Sequence, residues 1–361
     1  MRQRSLFDDD PVPDREPRGV RPVEPAAIDA SIHQLASALP PRIRLGTSSW
    51  SFPGWTGLVY AADRGRSPGE QRLARVGLAA YARHPLLRAV SIDRGFYAAL
   101  TESDFARYAA AVPADFRFVV KAPAAVTDAV VRRGGAEPAG ENPTFLDARL
   151  AADAFVKPAL QGLGDRLGAL VFQFPPLGRL AADPVRLVAR VAAFLTVLPK
   201  PPRGTLAVEF RDPALADPRA ARLLADAGAV PCLAVHARMP PVAEQAAAWG
   251  VESGRMPLVA RWSLHAGRGY EEAKADYFPF DRLVEEDEPS RAALARLAAA
   301  VDRDVLVTIN NKAEGSAPLS VMRLAAEIVR RTRGDGGASP SSAAPCGASQ
   351  PPVQRCDREG S

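Results

Sequence analysis

The feature that most constrains this sequence is an alternation, eight times over, between a short apolar run and a longer amphipathic stretch. The apolar runs are Ile43–Gly46, Ala89–Ile92, Phe116–Val120, Ala169–Phe172, Leu206–Val208, Cys232–Val235, Leu258–Trp262 and Val305–Ile309. These short apolar runs read as strands. The stretches between them predict helices near Glu70–Arg83, Glu102–Ala111, Phe145–Leu160, Pro184–Leu198, Pro218–Ala227, Val242–Trp249, Ser290–Val301 and Leu319–Arg331. Thr101 and Asp183 are placed as N-caps, and Asp217-Pro218 and Gly228 bracket a third helix. Strand and helix alternating from residue 43 to residue 331 predict an α/β fold, an eight-stranded (β/α)8 TIM barrel. An open doubly wound sheet shares that period. No Gly-x-Gly-x-x-Gly turn follows the first strand, which counts against its dinucleotide-binding form.

The ends of the chain lack this pattern. Residues 1–40 are rich in Pro, Asp and Arg, and only Ile28–Leu39 could form a short amphipathic helix. After Arg333 the chain runs Gly-Asp-Gly-Gly-Ala-Ser-Pro-Ser-Ser, which cannot bury enough apolar surface to order itself. The expected organisation is therefore one barrel domain over 41–332 between disordered segments 1–40 and 333–361. Hydrophobic residues make up 47% of the chain and charged residues 24%, enough for a core that needs no disulfide or structural metal. Cys232 falls in a strand, and Cys346 and Cys356 fall in the Pro/Ser/Gly tail, a spacing that fits neither a disulfide framework nor a metal site. With no secretory h-region and no membrane-length apolar run, a cytoplasmic location and no membrane partner are expected. The net charge of +5 is carried almost wholly by dispersed arginines, since only five lysines occur. That reads as a solvated basic surface rather than a nucleic-acid tail.

In a parallel barrel, chemistry sits on the residues just after each strand. Those positions are polar at all eight: Thr47, Ser48 and Trp50; Asp93; Lys121; Gln173; Glu209, Arg211 and Asp212; His236 and Arg238; Arg261 and His265; Asn310, Asn311 and Lys312. Any one of them is ordinary loop chemistry. Eight together, including two of the five lysines and two of the four histidines, predict a pocket. Its cations outnumber its carboxylates, which suits a small anionic substrate, with Arg gripping bidentately and Lys acting as a point charge. Trp50, Trp55, Phe96 and Tyr97 could stack on a ring or simply pack the barrel top.

Lys121 and Glu209 lie on odd-numbered strands and are expected to approach each other. Pairing with Glu209 would keep Lys121 charged, whereas desolvation would free it as a general base or Schiff-base amine. Lys121, Glu209 and His265 are the candidate catalytic residues. Glu209, His236 and His265 could compose a metal site, but they lack ligand-pair spacing and sit among cations, so no metal or other cofactor is expected. No Gly-x-Ser-x-Gly elbow, P-loop or Cys/His pair supports acyl transfer or P-loop chemistry.

The same strand ends carry a resemblance. Ile43-Arg44-Leu45-Gly46-Thr47-Ser48-Ser49-Trp50, the segments 116–123, 168–176 and 207–213, and Ile309-Asn310-Asn311 with Gly315 and Ala317 together resemble the domain of unknown function 72 (YecE-like) family over roughly residues 42–332. The resemblance implies a barrel and supports Thr47, Trp50, Lys121, Gln173, Glu209, Arg211 and Asn310 as site residues; it supplies no reaction. Its outline is similar to that of sugar isomerase and endonuclease barrels, an analogy of fold alone. The chain departs where the family reads Val-Glu-x-Asn-x-Thr-Phe-Tyr and it has Val90-Ser91-Ile92-Asp93-Arg94-Gly95-Phe96-Tyr97. A carboxylate is lost at Ser91 and one gained at Asp93, while Asp212 and Leu215 stand in place of the usual His and Trp. The leading expectation is an enzyme acting on a phosphorylated sugar or nucleotide-like anion. A nucleic-acid-binding protein or nuclease, and a non-catalytic ligand-binding barrel, are the alternatives.

Overall fold

The computed structural model describes residues 21–334 apart from 97 and 134–136. Within it lie β1 (Ile43–Thr47), β2 (Leu87–Ile92), β3 (Arg117–Lys121), β4 (Val130–Arg133), β5 (Glu137–Glu141), β6 (Leu167–Phe174), β7 (Thr205–Phe210), β8 (Ala229–Val235), β9 (Leu258–Trp262) and β10 (Val305–Ile309). Eight of them pair in parallel and close in the order β1-β10-β9-β8-β7-β6-β3-β2. The α/β barrel expected from the alternation is the fold, and the open sheet is not.

Burial along the strands follows residue parity, because successive side chains point to opposite faces. One set packs outward against the helices: Ile43 and Leu45, Phe118 and Val120, Leu170 and Phe172, Leu206 and Val208, Val305 and Val307. The intervening set fills the barrel interior as a small apolar layer of Ala89, Val119, Ala169, Val171, Ala207, Cys232, Val259 and Leu306. Small side chains inside and large ones outside fit the narrow lumen of an eight-stranded barrel. Gly46 serves close packing of another kind: a Cβ there would lie 1.7 Å from the Ala89 carbonyl oxygen, where β1 slips register against β2.

The helices fall close to their expected positions, with instructive shifts. The first is broken at Gly77 into Glu70–Val76 and Leu78–Tyr81. The one expected from Phe145 starts at Ala148, where Asp147 accepts the Leu150 N–H, and it widens into a π turn over Ala152–Val156. Pro158, two residues after Val156, has no N–H to continue an α ladder, which accounts for the local change of hydrogen bonding. Two elements go beyond the expectation: the antiparallel hairpin β4–β5, and a helix Tyr270–Asp276 in the segment after β9.

The described part of 1–40 is ordered rather than disordered. From residue 21 the chain is placed, with Val23 and Ala26 buried, Ala26 N–H donating to the Val59 carbonyl, and a helix Ala30–Ala38 capped by Asp29. Residues 1–20 and 335–361, with Cys346 and Cys356, lie outside the described residues. No helix among the described residues is long and apolar enough to cross a membrane.

Candidate functional site

Inward parity continues past the apolar layer. Two residues beyond Ala89, Val119, Val171, Ala207 and Val259 come Ser91, Lys121, Gln173, Glu209 and Arg261, so the lumen changes from apolar to ionic within one layer. A cavity of about 1110 Å³ opens above it at the C-terminal ends of the strands.

Its floor is an ion network centred on Glu209, which is 0% exposed. Arg261 donates from Nη1 to Glu209 Oε2 at 2.8 Å, and from Nη2 to both Asp93 oxygens at 2.8 and 3.0 Å. Arg211 closes on Glu209 Oε1 and donates to Ser263 Oγ at 3.3 Å. Ser91 Oγ donates to Asp93 Oδ1 at 2.7 Å. Burial alone would raise the Glu209 carboxyl; the guanidiniums of Arg211 and Arg261 outweigh it and hold it down at about 2. Glu209 is therefore an anion that fixes two arginines, and Arg211 Nε and Nη1 remain buried without a partner.

Lys121 departs from the expected pairing. It makes no ion pair among the described residues; its Nζ lies 3.5 Å from the centroid of the Phe96 ring. Burial pushes the ammonium down to about 8, with Asp93 and Glu209 opposing the shift and Arg261 and Arg211 adding to it. The two guanidiniums occupy Glu209, which leaves Lys121 half-buried on the cavity wall. A second lysine mirrors it. Lys312 Nζ lies 4.5 Å from the Tyr270 ring centroid, and burial and then the Lys274 charge push it down to about 8. His236 also lines the cavity; burial and Arg211 lower it to about 4, so the ring is neutral near pH 7.

The cavity brings together Ser48, Trp50, Asp93, Lys121, Gln173, Arg211, His236, Arg238, Arg261, Asn310 and Lys312, with Glu209 under its floor. Four expected residues are elsewhere. Thr47 donates to the Ser49 carbonyl and meets the Tyr81 hydroxyl at 2.8 Å. Asn311 Oδ1 accepts from Trp55 Nε1 and the Ala317 N–H. Asp212 Oδ2 accepts the Leu177 N–H at 2.8 Å. Parity explains all three, since each shares the face of outward-packed Leu45, Ile309 or Phe210. His265 lies outside the lining; its Nδ1 accepts the Gly267 N–H and its Nε2 sits 3.9 Å from Glu285. Tyr97 lies outside the described residues.

The sequence reading missed Arg94, Tyr108, Tyr270, Lys274, Phe278 and Phe280 on the wall. The last four come from the segment after β9, where the Glu272 carboxylate accepting the Gly269 N–H marks a helix start. That leaves an aromatic-walled cavity with a surplus of cations. Among the described residues no group of three or more His, Cys, Asp or Glu is placed to hold a metal ion. What the arrangement offers chemically is buried cations, aromatic faces and a lysine amine lowered to about 8 at Lys121.

A family model described as "Protein of unknown function DUF72" matches residues 44–344. A DUF72 family protein of known structure from Thermotoga maritima is 18% identical, with 78% of this chain and 97% of that chain covered at a TM-score of 0.50. Another from Enterococcus faecalis is 18% identical, covering 79% and 95% at a TM-score of 0.49. No curated protein matches the sequence.

Proposed function

The chain belongs to the DUF72 family of proteins of unknown function, so its activity has to be read from its own cavity, and we propose an enzyme that binds a small anionic substrate and transfers a proton at Lys121. The observation that carries this reading is the state of Lys121: a cavity-facing ammonium without an ion pair among the described residues, lowered to about 8. A proton-transfer group works best with a pKa near the working pH, and burial has brought an ordinary lysine towards that range. The arginines fixed by Glu209 and Asp93 give the field that attracts the anion, and they need no reorganisation when charge develops. Trp50, Tyr108 and Phe280 suit a substrate with a planar or apolar body, such as a phosphorylated sugar or a nucleotide.

The test is mass spectrometry of small molecules retained by the purified protein, followed by incubation of the retained compound with wild type and Lys121→Met. The expected result is an anionic compound that wild type converts and the variant does not. Retention without conversion by wild type would favour a non-catalytic binding barrel. Retention of polynucleotide alone, with salt-sensitive affinity, would favour the nucleic-acid reading.

A further inference from the structure

We propose that the cavity takes a dianion, a molecule with one anionic group over Lys121 and a second over Lys312. This rests on the anion-binding reading above and extends it to a second subsite. Lys312 is not a loose surface lysine. It is 8% exposed, its N–H donates to Asn310 Oδ1 at 3.0 Å, and its carbonyl accepts the His265 N–H at 2.9 Å. Both lysines lie over an aromatic ring, and neither makes an ion pair among the described residues. Some nearby cations do have carboxylate partners: Arg261 has Glu209 and Asp93, and Lys274 has Glu271 at 3.8 Å. A ring face replaces only part of the hydration that an ammonium loses on burial. Each site is thus short of one negative charge.

The charges acting on Lys121 are chiefly Asp93, Arg261, Glu209 and Arg211, whereas those acting on Lys312 are Lys274 and Glu271. Their strands are also apart: β3 and β10 are separated in the ring by β2 and β1. The wall between them carries Ser48, Trp50 and Phe52, which suits a ligand whose middle is apolar or planar. Bisphosphates and phosphate–carboxylates of matching length fit this arrangement.

Calorimetric titration with ethyl phosphate and with a series of straight-chain alkane-α,ω-diol bisphosphates tests it. Joining two anions makes the second contact intramolecular, so one chain length should bind about tenfold to a hundredfold more tightly than ethyl phosphate. Lys312→Met should remove that gain and bring the best bisphosphate down to the affinity of ethyl phosphate. Equal binding of every bisphosphate and the monophosphate by wild type overturns the second subsite and leaves the single-anion reading standing. A gain that survives Lys312→Met overturns the assignment to Lys312. Failure of wild type to bind ethyl phosphate or any bisphosphate at low salt overturns both readings.

Discussion

Among the described residues two glutamates are fully buried, and they do different work. Glu209 and Glu314 are each 0% exposed and each face arginine. Glu314 puts its oxygen on the Asp287 N–H and on Arg291, while its own carbonyl accepts the Val284 N–H. It thereby fastens residues 284–287 to the chain beyond β10. Gly315 makes that approach possible: its φ is +113°, and a Cβ there would meet the Arg282 carbonyl at 2.5 Å. Arg291 also has Glu286 as a partner. Glu209 instead holds arginines that line the cavity. Burial and pairing alone do not separate a fastening from a site. What separates them is whether the counter-cation keeps a face towards open space.

Removing each carboxylate should break that comparison most sharply. Glu209→Ala leaves two buried guanidiniums without their shared anion and should cost about 3–5 kcal/mol in urea unfolding, together with anion affinity. Glu314→Ala loses one arginine pair and one backbone hydrogen bond, and Arg291 keeps Glu286; about 2–3 kcal/mol is expected. Anion affinity should be unchanged. A larger loss at Glu314, or lost affinity there, would make the two clusters equivalent.

Lys121→Met is the next largest effect, and its sign differs from that of the glutamates. Anion affinity should fall about tenfold or more, equivalent to about 1.4 kcal/mol. Stability should stay level or rise, because burial disfavours the ammonium that is removed. A fall in melting temperature would mean that Lys121 is a structural cation.

The same shift predicts pH behaviour. Lys121 and Lys312 are near 8 in the fold and 10.5 in the unfolded chain. Between those values the unfolded chain binds more protons, so these lysines make stability increase as pH rises through that window. The rise should shrink in Lys121→Met. Glu209 acts at the acid end: its contribution is present above 4.5 and is lost as pH falls towards 2. Anion affinity should fall as pH climbs through 8. Denaturant melts and titrations at stepped pH check each sign.

Much of this was legible in the sequence, and parity marks how far. Strands buried on both faces leave apolar runs, so all eight barrel strands could be placed. Counting by twos from the inward Ala207 and Val259 reaches Glu209, Arg211 and Arg261, and leaves Asp212 on the other face. Selecting every polar residue after a strand, without that count, admitted Thr47, Asn311 and Asp212. The pairing of Lys121 with Glu209 failed for another reason: which cation reaches a buried carboxylate depends on side-chain length and angle across strands. The helix Tyr270–Asp276 buries only Ala273 and so has almost no apolar period to detect. The hairpin β4–β5 had a faint signal in Val130–Arg133 followed by Gly134-Gly135.

The smallest predicted effect tests the position where this chain departs from the family pattern. Asp93 stands where the resemblance has Asn, and its carboxylate takes Arg261 Nη2 and the Ser91 hydroxyl. In Asp93→Asn, Arg261 keeps Glu209, and the amide oxygen can still accept one bond. The side chain is 30% exposed, so the stability cost should be under about 1 kcal/mol. Two consequences for anion binding oppose each other. Removing a negative charge beside the anion strengthens the attracting field. Asp93 also raises the Lys121 pKa, so its loss lowers that value further below 8 and discharges the lysine sooner. At pH 6 the lysine stays charged in both proteins, and the variant should bind phosphate more tightly by about threefold. Above pH 8 that advantage should disappear. An advantage independent of pH would mean that Asp93 acts on the anion directly and that Lys121 takes no part in holding it.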